Sequence, residues 1–193
     1  MSAHHQSLCL QSAFEALRRG AAFLGGGLRM AGSASRLPIA GPGRHKVIAN
    51  GLRELDRFLS VMIDEIARLT PGNIDTTLLA RQRNTANKLR ALYTAMGRPR
   101  SDHDRLRALA RSRDCLFYCD GIVSRSDERH GAAMTVGWPG GADTPTTVLH
   151  LGEKLEITAE DLAWICCFYD RVATDLMDVE EVRFGARLII VPV

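Results

Sequence analysis

Between Ile48 and Leu69, apolar residues return at spacings of 4, 3, 4, 3, 4 and 3: Ile48, Leu52, Leu55, Leu59, Met62, Ile66 and Leu69. A ridge of this length and period predicts an α-helix with one face buried. Val47, Phe58 and Ile63 widen the stripe beyond a coiled-coil seam, so the face belongs to a core. Arg53, Glu54, Asp56, Arg57, Asp64 and Arg68 fall on the other side and are expected in solvent, with Asp64 and Arg68 paired one turn apart. Pro71-Gly72-Asn73 ends the helix.

A second ridge follows: Leu78, Gln82, Thr85, Leu89, Leu92 and Met96, spaced 4, 3, 4, 3 and 4, capped by Asn73 or Asp75 and closed by Gly97 and Pro99. The short link predicts two antiparallel rods, a helical hairpin over 44–96. Gln82 and Thr85 are polar on the inner line. The seam is expected to roll toward solvent there; the alternative is a buried polar contact that sets register.

Residues 1–43 read differently. They hold one acid, Glu15, against four arginines, and are rich in Ala, Gly and Ser. Phe14, Leu17, Ala21 and Leu24 suggest two or three amphipathic turns, broken by Gly25-Gly26-Gly27. Arg18-Arg19 before a short apolar run resembles a twin-arginine export signal, but Arg29 closes that run, and the expectation is a loosely ordered arm.

Beyond the hairpin, Ser101 and Asp104 make a capping pair for a third helix over 102–118. From Gly121 the period changes to alternation. Met134, Val136 and Trp138, then Thr147, Leu149 and Leu151, then Leu155 and Ile157, predict an antiparallel meander within 120–157. Thr158 and Asp161 cap a further helix over 158–178, with Leu162, Ile165, Tyr169, Val172 and Leu176 inside. Val182, Phe184, Ala186, Leu188 and Ile190 alternate and predict a last strand over 182–191. The expected fold is α+β and mainly α: an antiparallel bundle of about four main helices with a small antiparallel sheet in the C-terminal half, in one globular unit over 44–193.

Charge is distributed unevenly. Residues 81–113 carry Arg81, Arg83, Lys88, Arg90, Arg98, Arg100, Arg105, Arg107, Arg111 and Arg113 against Asp102 and Asp104, a local net of +8. Residues 151–181 carry nine acids against Lys154 and Arg171, a local net of −7. Arginine forks bidentately onto carboxylate or phosphate, so the basic run is the candidate binding surface. Its partner is expected to be a protein, a second copy included, with nucleic acid as the alternative. The blandest reading is two solvated faces.

Candidates for chemistry are thin. Cys115 and Cys119 share a helix face, and with Cys166 or Cys167 and a histidine they are the available metal ligands. Their apolar neighbours favour reduced core thiols in a cytoplasmic protein, and neither metal nor cofactor is expected. No run approaches the roughly 20 apolar residues a membrane span requires. Arg125-Ser126-Asp127-Glu128-Arg129-His130 has the arginine-x4-histidine spacing and so resembles the motif of the HEPN ribonucleases, which are helical bundles. That resemblance implies RNA cleavage, with Arg125 and His130 as the catalytic pair.

Overall fold

The computed structural model describes residues 3–26, 39, 41–70, 74–99, 102–128, 131–138 and 147–187. They form six helices and one two-stranded antiparallel sheet, in the order α1 (Ala3–Gly26), α2 (Arg44–Leu69), α3 (Thr76–Arg81), α4 (Thr85–Ala95), α5 (His103–Tyr118), β1 (Ala133–Thr135), β2 (Val148–His150) and α6 (Ala159–Arg187). The mainly helical class with a small C-terminal sheet is the one the sequence predicts.

The heptad ridge is α2, and its inner positions Ile48, Leu55, Leu59, Met62 and Ile63 are fully enclosed. Every other helix touches it: α1, α3, α4, α5 and α6. A helix so surrounded needs more than one buried face. This is why Glu65 and Ala67 are buried beside the ridge, and why its acidic side is partly covered as well.

The expected loose arm is instead α1, whose Leu10, Ala13, Leu17, Ala21 and Leu24 lie in the main core. It runs antiparallel to α2, since Gly20 adjoins Leu55 while Gly51 adjoins Leu24. It also runs antiparallel to α6: Arg18 pairs with Asp170, and Gly25 adjoins Cys166. A Cβ on Gly51 would lie 2.8 Å from the Leu24 methyls, and one on Gly25 would lie 2.9 Å from the Cys166 Cβ. Gly25, read from the sequence as part of a breaker, is therefore, like Gly51, a contact point that lets helices approach closely.

The second rod is not continuous. Residues 82–84 leave the helix, and Asn84 restarts it by accepting the Asn87 N–H at 2.7 Å. Asp75, one of the two expected caps, accepts the Thr77 N–H at the start of α3. Leu89 and Leu92 still face the core. Thr85 does not roll outward; it is buried, and its hydroxyl bonds Asp56. At the far end, the Thr158–Asp161 capping pair forms as expected, each side chain accepting the other's backbone N–H. The helix it starts does not stop at 178: the stretch expected as a final strand is helical through Arg187, and residues 188–191 lie outside the described residues.

The meander is smaller than expected. β1 and β2 pair Ala133 with His150, Met134 with Leu149 and Thr135 with Val148, and Ile122 bridges Lys154. The alternation is kept where it packs: Met134, Val136 and Trp138 are all buried, as are Leu155 and Ile157. Leu151, by contrast, is exposed on the turn after β2.

Candidate functional site

Five members of the basic run are tied down inside the fold. Lys88 Nζ lies 2.6 Å from Asp64 Oδ2 on α2. Asp64 thus pairs across to α4 and not with Arg68 one turn on; Arg68 bonds Glu65. Arg113 Nη1 reaches Asp56 Oδ2 at 3.2 Å, and its other nitrogens reach Asp114. Arg111 Nε lies 2.7 Å from Asp127 Oδ1, an ion pair by distance whose N–H is not directed at the oxygen. Arg105 donates to the Gly137 carbonyl at 3.3 Å and lies over the Trp164 ring at 5.0 Å. Arg98 makes a long bond, 3.4 Å, to the Asp175 carbonyl. Arg100 lies outside the described residues. Arg81, Arg83, Arg90 and Arg107 are exposed, and none has an internal partner among the described residues.

The best-connected polar group is one that the period placed in solvent. Asp56, on α2, accepts from Thr85 Oγ1 at 2.9 Å, from Arg113 Nη1 at 3.2 Å and from the Tyr169 hydroxyl at 3.4 Å. Four helices, α2, α4, α5 and α6, therefore meet on one carboxylate. Burial raises the Tyr169 pKa well above the usual 10, and Asp56 raises it further, so the phenol stays protonated and donates. Burial opposes the charge on Arg113, but Asp56 and Asp114 outweigh it and raise its pKa. A phenol as enclosed as Tyr169 has no path to a substrate. The constellation is a structural pin.

A second cross-brace links the two oppositely charged segments through their minority charges. Arg171, on the acidic helix α6, bonds Asp102 at 2.6 Å and Asp175 at 2.8 Å. Tyr93 beside it is pushed up to about 12 by burial, then by Asp102 and Asp175. On α5, His103 Nε2 lies 3.3 Å from Asn87 Oδ1, which joins α4 to α5.

The thiols are dispersed. All five cysteines are free; Cys9 and Cys167 are exposed, while Cys115 and Cys166 are buried. Cys119 Sγ lies 2.9 Å from Ser124 Oγ. Among the described residues, no group of three or more His, Cys, Asp or Glu side chains is arranged to hold a metal. Burial raises Cys115 to about 11 and Cys166 to about 12. Their ionisation is therefore postponed in the folded protein relative to the unfolded chain. Unfolding then releases protons once the pH exceeds the ordinary thiol value of about 8.5. Stability attributable to these groups is full below that pH and falls as pH rises toward 11–12. At pH 8, Cys9 is expected to react at once with a thiol reagent, and Cys115 and Cys166 only after urea unfolding. A colorimetric thiol count with and without urea checks this.

Of the motif that resembles the HEPN ribonucleases, Arg125 is exposed beyond α5 and His130 lies outside the described residues. No helix among the described residues is long and apolar enough to cross a membrane. In comparisons with family models, curated proteins and solved structures, the chain matches none, so the reading of its function rests on its own residues.

Proposed function

We propose that the protein is a helical scaffold that binds an acidic surface of another protein through the free guanidinium groups of α3 to α5. The observation that carries this reading is the division within the basic run. Lys88, Arg105, Arg111 and Arg113 are used by the fold, whereas Arg81, Arg83, Arg90 and Arg107 project without a partner among the described residues. On α4, Arg90 stands three residues after Asn87, at helical spacing, and Asn87 meets His103, while Arg83 precedes the helix in the break at 82–84. Arg107 is one turn on from His103, so Arg90 and Arg107 each stand about one turn from the contact between α4 and α5. Asp104, whose side chain is 94% exposed, lies between His103 and Arg107. An exposed carboxylate among the guanidinium groups repels a polyphosphate but suits a protein surface of mixed charge, which favours protein over nucleic acid.

Fluorescence anisotropy tests it, with a labelled oligoglutamate peptide, a labelled DNA duplex and a labelled RNA as probes. The peptide is expected to bind in a salt-sensitive manner. The triple change Arg83→Ala, Arg90→Ala and Arg107→Ala is expected to weaken it about tenfold, the sum of three modest exposed charge contacts. Tighter binding of the duplex or RNA, with a steep dependence on salt, would overturn the reading in favour of nucleic acid.

A further inference from the structure

An open groove of about 800 Å³ lies between α1 and α6. On α1 its edge runs through Gln11, Glu15, Arg18, Ala22 and Gly25, spaced 4, 3, 4 and 3. On α6 it runs through Ala163, Cys167 and Asp170, spaced 4 and 3. Two antiparallel helices thus present parallel seams of the period that receives further helices. Small residues line one end, where a backbone can approach closely. Beside Ala22 stands Phe23, 81% exposed and the most exposed large apolar side chain among the described residues.

The charges on the α1 seam are incompletely used. Arg18 reaches Asp170 through Nε at 3.0 Å, and no bond from either of its terminal nitrogens appears among the described residues. Glu15 accepts from Gln11 through Oε1, which leaves Oε2 available. These groups complement one another when α1 meets its own copy antiparallel. In the register that sets Glu15 opposite the other copy's Arg18, Arg18 faces the other copy's Glu15 by symmetry. The same register sets Gln11 against Ala22 and brings Phe14 opposite Arg19, a guanidinium for an aromatic ring. One surface then satisfies itself twice, as a two-fold interface must.

We infer that the α1–α6 groove is the self-association surface of this protein, occupied by α1 and α6 of a second copy in a two-fold, four-helix contact. The inference does not depend on the arginines of α3 to α5, which lie on other elements.

Sedimentation equilibrium of the full chain tests it. The protein is expected to dimerise at micromolar concentration. Ala22→Arg, at an exposed position, and Glu15→Arg, which sets cation against cation, should each weaken the dimer at least tenfold. Thermal unfolding followed by circular dichroism confirms that each variant is folded. Should Ala22→Arg fail to fold, Glu15→Gln serves, because it keeps the size and removes only the paired charge. Arg83→Ala should leave the dimer unchanged. A chain that stays monomeric at high micromolar concentration, or a dimer that survives Ala22→Arg and Glu15→Arg in folded form, overturns the inference.

Discussion

Asp56→Ala is expected to destabilise the fold by about 3–5 kcal/mol, a large part of the stability of an ordinary domain. The carboxylate is 18% exposed and Arg113 15%, so solvent cannot replace what is lost. Removing it takes a carboxylate acceptor from three donors at once. Arg113 keeps only the exposed Asp114. The enclosed Tyr169 hydroxyl loses its acceptor, at about 1–3 kcal/mol for a buried group left unsatisfied, while the buried Thr85 hydroxyl falls back on the Asp56 backbone carbonyl at 3.4 Å. Asp56→Asn keeps one acceptor oxygen and the volume, so it should cost less than Asp56→Ala. Tyr169→Phe removes one long bond and leaves the Arg113 pair, for about 1 kcal/mol. Urea unfolding of the three variants checks the ranking. An Asp56→Ala cost below about 1 kcal/mol would mean that the carboxylate behaves as a surface charge, not as a pin.

Asp56 shows why the site was harder to read than the fold. The ridge from Ile48 to Leu69 correctly identifies the face of α2 that meets apolar neighbours. Periodicity then assigns the remaining positions to water, which holds for a helix with one packed side. α2 has helices on several sides, and its second buried face is polar: Asp56 and Asp64 meet Thr85, Arg113 and Lys88. No spacing rule marks an acid as paired when its partners lie 24 to 57 residues away. Thr85 on the inner line of the second ridge was the one available signal, and its alternative reading as a buried polar contact is the one found.

The two ends of the chain diverge from expectation for opposite reasons. At the C-terminus, Val182, Phe184 and Ala186 do alternate, but the stretch continues the long run of α6 without an intervening breaker, and helix propagation needs only one further bond per residue. At the N-terminus, the spacing of Leu10, Ala13, Leu17, Ala21 and Leu24 is helical, yet the residues are small and the glycines dense. Composition therefore suggested a loose arm. What composition does not carry is that small residues bring α1 against α2 and α6 at close range, where Gly20, Gly25 and Gly51 meet their neighbours.

That difference has a large measurable consequence. A chain beginning at Met30 is expected to lose cooperative unfolding altogether, and Leu17→Ala in the full chain to cost about 2–5 kcal/mol. Leu10, Leu17 and Leu24 are all buried in the main core. Fully burying a leucine contributes about 1.5–3 kcal/mol, so the three together approach the entire net stability of a typical domain. Their loss would also bare the α2 and α6 surfaces around Leu55 and Cys166, against which α1 packs. An arm that merely trails from the fold predicts the reverse: an unchanged urea midpoint after truncation, and no effect of Leu17→Ala. Circular dichroism during urea unfolding separates the two. Because Leu17 is enclosed and sits away from the α1 edge of the groove, its truncation tests the packing of α1 within one chain independently of any dimer.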